Sequence, residues 1–457
     1  MTVPVADLAE AETFLAAHPG LLAFDVVFTT LSGVARGKRL RAGELLALYD
    51  GGRPLPVSTC VVDIRGEDVT ETGLVWETGD RDGLLRPVPG TLVPAPFAGT
   101  DMAQVSATMF EDGEACDLDP RAVLARVLAC YAAGGLTPVV ACELEFYLVD
   151  AERAPGERPR LARITGVRPH AVASYGLAEM ADLDPFLREL WVAADAQRVP
   201  LQGAISEHSA GQYELTLQHG ADALRAADEA VLYKRIVKGV ARRHGWTATF
   251  MAKPFGVRAG SGMHIHASVL GADGANIFAA DAPEGSPALR HAIGGLKATM
   301  GEAFLLFAPN MNSYRRFRAG SYAPVAPGWG LDNRTVPLRV PGGAAAGRRV
   351  EHRVCGADAN PYLALAAVLA GMHHGIAGRM DPGPPVVGNG YTTAGADGAR
   401  LPGHWFAAVD AFEAGAVMRD YLGARLVEKY AILKRVEQER YFAEVPEQDY
   451  AWTLRDA

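Results

Sequence analysis

The sequence predicts an α+β protein in two parts, a small β-rich domain over residues 1–112 and a larger domain over residues 113–457. Three observations carry that expectation. Before residue 112 the apolar residues fall in brief runs around a Gly- and Pro-rich stretch. At Asp117–Pro120 an acidic cap and a proline open a helical pattern, after which strand and helix patterns alternate. Four separate segments beyond that point alternate polar and apolar residues with period two.

Taken in order, Ala6–Ala17 reads as a short helix, Leu22–Thr29 and Gln104–Phe110 as strands, and Ala122–Ala133 as the helix that opens the larger domain. The polar, Pro-containing Ala151–Arg163 reads as an exposed loop. The apolar Tyr362–Met372 falls short of the roughly 18 residues of a membrane span, and the His373–His374 pair after it reads as a surface or cap feature. Leu422–Phe442, with Leu, Val, Tyr and Ile at helical spacing among charges, reads as an amphipathic helix.

Composition narrows the function. A chain that is 49% hydrophobic and 21% charged is globular rather than disordered. An excess of acids over bases, with net charge -9, disfavours nucleic acid as a partner. Five scattered cysteines, odd in number and never spaced CxxC, support neither a disulfide framework nor a zinc cluster, and they read as core or surface thiols. Asp7, Glu10 and Glu12 stand where a secretory leader would be basic and then apolar. The expectation is a cytoplasmic protein with no membrane partner.

The four alternating segments carry the chemistry. In Val139–Val149, Glu143 and Glu145 share one face, about 7 Å apart along the strand, while Cys142, Leu144, Phe146 and Leu148 take the other. Gly211–Gln218 puts Gln212, Glu214 and Thr216 on one face; Met263–Val269 does the same with His264, His266 and Ser268. Arg348–Val354 groups Arg349, Glu351 and Arg353, although His352 weakens its apolar side. A single such strand is what any half-solvated antiparallel sheet shows. Four polar faces built from Glu, His and Arg are different, because carboxylates with imidazole bind Mg²⁺ or Mn²⁺ and guanidinium groups clamp phosphates or carboxylates. The pattern points to metal-assisted phosphoryl transfer on a sheet. Gly260-Ser261-Gly262 reads either as a backbone cradle for an anion or as a plain turn. Neither a Walker A lysine motif nor a GxGxxG fingerprint is present.

Glu143-Leu144-Glu145-Phe146, Glu207–Glu214 (EHSAGQYE), Lys253-Pro254, Gly260–Ser268 (GSGMHIHAS), Asn312–Arg316 (NSYRR), Asp332-Asn333-Arg334 and Arg349–Arg353 (RVEHR) through Asn360-Pro361-Tyr362 resemble the glutamine synthetase superfamily, in its order and near its spacing. The likeness extends from Arg36–Lys38 (RGK) to the C-terminal helix. It implies an N-terminal β-grasp domain, a catalytic domain on a curved antiparallel sheet flanked by helices, and hexameric rings stacked as dodecamers with active sites between subunits. Carried over, Glu145, Glu207 and Glu214 would hold one metal ion and Glu143, His264 and Glu351 another. Gly260, Arg316 and Arg353 would bind glutamate. His266, Ser268, Arg334, Arg339 and Arg349 would surround ATP, with Arg334 also serving catalysis. The implied reaction moves the γ-phosphoryl group of ATP to the glutamate side-chain carboxylate, and a nitrogen nucleophile then attacks the acyl phosphate.

The sequence departs from that pattern at the flap. Glutamine synthetases proper carry a Glu that shields the intermediate and helps to deprotonate ammonium; the aligned stretch here is Ala319-Gly-Ser-Tyr322-Ala-Pro324, which puts Tyr322 at the Glu position. A phenol, uncharged at neutral pH, supplies no negative charge to bind NH₄⁺. The second ammonium-binding acid, an Asp expected near Pro56–Thr59, is also missing, although Asp80 and Asp82 follow. Ala259 replaces the Asn that precedes the family's GSGMH motif. Tyr391 falls near the tyrosine that some bacterial glutamine synthetases adenylylate, but its surroundings (GNGYTTAG) match poorly and it reads as a surface-loop residue. These departures resemble the γ-glutamylpolyamine and γ-glutamylethanolamide synthetase branch, so the expected nucleophile is an organic primary amine. The competing readings are an ammonium-dependent glutamine synthetase with another acid recruited and a catalytically silent scaffold, the latter disfavoured because all six metal-ligand positions are kept.

Overall fold

The computed structural model describes residues 3–154, 156–393 and 400–455, and within them two sheets form. The first contains β1 (Ala23–Thr29), β2 (Ala35–Arg41), β3 (Arg53–Pro56), β4 (Asp82–Pro87), β5 (Val93–Pro94), β6 (Met102–Glu111) and β7 (Glu114–Ala115). Its order is β2-β1-β6-β4-β3, with β5 and β7 also paired to β6. The central β1 and β6 run parallel, and their other partners are antiparallel, as in a β-grasp. The helix predicted before it spans Leu8–Ala17, where the Asp7 side chain accepts from the Glu10 amide and fixes the start.

The second sheet contains β8 (Thr137–Asp150), β9 (Leu201–Ser206), β10 (Gln212–Leu217), β11 (Trp246–Thr249), β12 (Met263–Leu270), β13 (Trp329–Leu331), β14 (Leu338–Val340) and β15 (Val350–His352). Its order is β13-β14-β15-β12-β8-β10-β9, with β11 also on β8, and all its pairs are antiparallel except β13 with β14. Cys142, Leu144, Phe146 and Leu148 of β8 are fully buried on the apolar face. Helix Ala223–Arg243 lies against β8 and β11, and its Tyr233 hydroxyl donates to the Leu144 carbonyl.

Helix Pro120–Ala133 begins at a buried Asp119 cap with Pro120 in its first turn, where a proline lacks only an N–H that the helix would not use. Helix Pro361–Gly378 starts the same way: Asn360 accepts from the Tyr362 and Leu363 amides and gives its side-chain N–H to the Thr30 and Leu31 carbonyls, tying the two sheets' regions together. Among the described residues no helix is long and apolar enough to cross a membrane. Gly423, at positive φ, interrupts the amphipathic C-terminal stretch, and the helix runs Ala424–Phe442.

Four expectations need correction. Ala151–Arg163 is exposed at most of its described positions, Arg163 included, but Leu161 and Ala162 are buried, and the Ala162 amide donates to the Leu148 carbonyl, because the loop returns to the sheet edge. The strand expected over Arg348–Val354 is only Val350–His352, since its neighbour β14 is bounded by Pro337 and Pro341, which cannot donate to the ladder. His352 does not weaken the apolar side: it is buried, with its ring 4.5 Å from that of Phe307, and burial, helped by His264, pushes its pKa down to about 3, so it stays neutral. His373 is half-buried rather than a surface or cap residue. It sits inside its helix, its Nδ1 2.6 Å from the Tyr421 hydroxyl and its ring edge-on to Tyr131, in a seam between helices.

Candidate active site

Strand register assembles the polar face. Glu214 of β10 stands opposite Glu145 of β8, Glu143 opposite His264 of β12, and His266 opposite Glu351 of β15, which in turn faces Arg339 of β14. Directly opposed residues bring their Cβ atoms within about 4.5–5.5 Å, so the sheet forms a row of carboxylate, imidazole and guanidinium groups across five strands. Within this row two triplets have ligand-type atoms within 4.8 Å of one another: Glu143, His264 and Glu351, and Glu145, Glu214 and His264. Glu207 stands just after β9, outside the second triplet but close enough for its charge to act on Glu145.

The two ends of the row differ electrostatically. Glu351 accepts from Arg339 at 2.7 Å and also from Arg353; burial opposes its ionisation, but Arg353, the two histidines and Arg339 outweigh it and hold its pKa at about 2. Burial likewise opposes charge on Glu143, yet its contacts with His264 and His266 keep it well below the usual range. His266 accepts from Arg349 at Nδ1, which puts its proton on Nε2, 3.0 Å from Glu143 but not aligned as a hydrogen bond. At the other end burial and the Glu207 charge push Glu145 up to about 8. Burial and the neighbouring Glu145, Glu143 and Glu207 push Glu214 up to about 9. Burial also raises Glu207. A divalent ion would relieve that crowding, and the donor set of carboxylates with one imidazole suits one. Among the described residues the buried Ser261 Oγ and Arg353 Nε of this site have no hydrogen-bond partner. The residues therefore fit a metal site.

The Gly260–Gly262 turn is more than a plain turn. The Gly262 amide donates to Glu145 at 2.9 Å, and a Cβ at Gly260 would stand 2.5 Å from Arg316 Cγ and 2.7 Å from the Ala252 carbonyl. Absence of both side chains lets the buried Arg316, anchored on the Val354 carbonyl, lie beside Glu145. Sequence reasoning missed three supports. Gln212 donates to both Glu145 and the Gly260 carbonyl, and Tyr147 donates to the Ala259 carbonyl while Ser209 receives the Ala259 amide, so the backbone there is pinned without the family's Asn. Tyr147 continues the odd-numbered face of β8, a signal that was available in the period.

Arg339, besides Glu351, holds Asp332. Arg334 is exposed beside Tyr322, whose side chain is also exposed, in a groove of about 600 Å³ that includes Leu331, Asp332 and Pro385–Gly388. Ser268, on β12, extends the polar face beyond His266. Tyr391 is not a surface-loop residue: it is half-buried in a short helix, Gly390–Thr393, and its hydroxyl lies 3.3 Å from the Ala323 carbonyl beside Tyr322.

A β-grasp sheet beside an antiparallel sheet with one face of carboxylates, imidazoles and arginines is the framework of an ATP-dependent ligase. The chain belongs to the glutamine synthetase family, whose catalytic domain matches residues 117–453. It is 38% identical over 451 residues to gamma-glutamylputrescine synthetase PuuA of Escherichia coli (strain K12), covering 98% of this chain and 95% of that one. Gamma-glutamylethanolamide synthetase GlnA4 of Streptomyces coelicolor is 35% identical over 386 residues, 83% of this chain and 80% of that one. The solved GmaS–ADP complex superposes with TM-score 0.83 at 28% identity over 98% and 99% of the two chains. Ligases of this family use ATP and divalent metal ions, act on small-molecule substrates and are oligomeric.

Proposed function

We propose that this protein joins the γ-carboxylate of glutamate to an organic primary amine, polyamine-like or ethanolamine-like, while ATP is cleaved to ADP and phosphate. The observation that carries this reading is Tyr322: where an ammonium-selecting carboxylate would have to stand, an uncharged aromatic side chain is 64% exposed in the groove beside Arg334. An aromatic face favours an amine with an organic body over bare ammonium. The similarity to ligases of putrescine and ethanolamine supports the same choice.

In this reading Glu143, His264 and Glu351 would hold one divalent ion, and Glu145, Glu207 and Glu214 another, with Mg²⁺ and Mn²⁺ both compatible with the donors. Such ions, when bound, neutralise phosphate charge and keep these carboxylates ionised. Arg316 and Arg353 clamp the glutamate, with the Gly260 backbone free of any side chain in their way. Arg339, Arg349, His266 and Ser268 line the ATP side, and Arg334 stabilises the phosphoryl group in transit. The γ-carboxylate oxygen attacks the γ-phosphorus, the bond to the β–γ bridging oxygen breaks, and ADP leaves. The amine nitrogen then attacks the acyl carbon, phosphate departs, and one proton is lost from nitrogen. The protein's part is position and fixed charge.

The proposal keeps residues 1–112 and 113–457 as the two domains, hexameric rings stacked as a dodecamer with active sites between subunits, and a cytoplasmic location, with which five free thiols agree. The test is ADP release with ATP, glutamate and Mg²⁺ against a panel of ammonium, ethanolamine, putrescine, spermidine and small monoamines. At least one organic amine should exceed ammonium in kcat/KM by about tenfold, a difference of ~1.4 kcal/mol. Glutamine formation from ammonium with no response to amines would overturn the proposal.

A further inference from the structure

The segment from Gly383 to Tyr391 lies across the groove at Tyr322 and is stitched to the loop that carries Arg334. The Val386 amide donates to the Trp329 carbonyl at 2.7 Å, and the Trp329 ring N–H returns a bond to the Gly383 carbonyl at 3.0 Å. Asn333 donates to the Gly388 carbonyl at 2.8 Å, and Thr335 Oγ1 accepts from the Gly390 amide at 2.8 Å. Thr335 and Asn333 are themselves joined at 2.6 Å. The arm is therefore held along most of its length. At its far end Tyr391 reaches a different element: its hydroxyl donates to the Ala323 carbonyl in the flap.

The flap needs such a tie. Tyr322 has φ +57°, a left-handed conformation that a bulky residue adopts only where its surroundings impose it. On the N-terminal side Ser321 supplies one restraint, donating to the Arg316 and Arg318 carbonyls. On the C-terminal side the Tyr391 bond falls on the residue next to Tyr322. Arg353 is close enough for its charge to act on that hydroxyl, so the tie lies at the edge of the site. Tyr322 and Leu331 with Val386 and Val387 leave an aromatic and aliphatic groove whose acid, Asp332, is already engaged by Arg339.

We propose that Tyr391 is a positioning residue: by fixing the flap it sets the distance between the Tyr322 ring and the Val386–Val387 wall, and so determines which amines fit the channel to the γ-carboxylate. The inference rests on the amine-ligase reading above and adds the structural element that would select the amine.

The experiment compares wild-type protein with Tyr391→Phe, which removes only the hydroxyl, and with Val387→Ala, which widens the opposite wall. Steady-state kinetics are run with ATP, glutamate, putrescine, ethanolamine and isopropylamine, and amide hydrogen exchange of residues 319–324 is followed without substrates. For Tyr391→Phe the amine KM should rise about three- to tenfold, the range expected for loss of one neutral hydrogen bond. KM for ATP and glutamate should stay within about twofold, and exchange across the flap should accelerate. For Val387→Ala the preference should move toward the bulkier amine, with flap exchange unchanged. An unaltered amine KM with unaltered exchange overturns the proposal, as does a joint rise of all three KM values with a lowered Tm, which marks a general structural role. A wild-type enzyme inactive with every amine sinks the amine-ligase reading instead, and the exchange measurement still decides whether Tyr391 holds the flap.

Discussion

Tyr322 concentrates the chemical difference between this chain and an ammonium ligase in one side chain. A carboxylate there would attract a small cation and take its proton, while a phenol offers a ring face and no charge. Tyr322→Glu should raise kcat/KM for ammonium about tenfold and lower that for the preferred amine by a similar factor, since a charge-assisted contact exceeds a neutral one by ~1–1.5 kcal/mol. Competition assays that separate glutamine from the γ-glutamylamide check both halves. No gain with ammonium would mean that another acid already serves it. At this scale much of the site was legible in the sequence: period two placed Glu143, Glu145, Glu214, His264 and Glu351 on common faces because a strand's geometry leaves no choice. Long-range partners were not legible. The Gly262 amide that braces Glu145 is 117 residues away in the chain, and the Tyr391 bond to Ala323 spans 68; no local pattern encodes either.

Elements show the same division between local rule and tertiary override. An acidic cap and a proline predicted the start at Asp117–Pro120, and the same chemistry caps the helices at Asp7 and Asn360, because orphan amides demand acceptors wherever the helix ends up. The length of β15, the burial of His352 and the packing of the half-buried His373 depend on what packs against them, which a sequence read one segment at a time does not contain. The apolar Pro361–Gly378 helix gives a further case, since it packs closely on helix Pro287–Phe307 through glycines. A Cβ on Gly295 would stand 2.1 Å from the Gly371 carbonyl and 2.5 Å from Gly375 Cα. Gly295→Ala should therefore force the helices apart and cost roughly 1–3 kcal/mol, the usual range for overpacking. Thermal unfolding should show a Tm lower by several degrees. Neither helix carries a side chain of the polar row, so kcat/KM per folded molecule should hold; a kcat/KM that falls with unchanged Tm would contradict this separation.

On the scale of the whole molecule, the crowded carboxylates link stability, pH and metal. Glu145 and Glu214 titrate near 4.5 when unfolded and at about 8 and about 9 when folded. Between those limits the folded protein keeps protons that the unfolded chain has lost, so rising pH removes stability from the metal-free protein; below 4.5 both states are protonated and the penalty vanishes. Glu351, held at about 2, acts in the opposite sense only below 4.5, where its contribution is lost as pH falls. Lys234, which burial pushes down to about 7, also opposes the trend, favouring the folded state as pH rises from there toward its ordinary value of 10.5. Its effect is present with or without metal and cancels in the difference between the two. The discriminating quantity is therefore the rise in Tm produced by Mg²⁺. A divalent ion binds the carboxylates only once their protons leave, and each tenfold gain in affinity adds ~1.4 kcal/mol at fixed excess metal. The Mg²⁺-induced rise should be small at pH 6 and grow by a few degrees by pH 8.5, with protons released on binding at the lower pH. Scanning calorimetry with and without Mg²⁺ at each pH, and titration calorimetry in buffers of different ionisation enthalpy, measure the two effects. An increment that stays flat across this range would mean that Glu145, Glu207 and Glu214 reach the metal already ionised, and that the crowding seen on the sheet is relieved by something other than the ion.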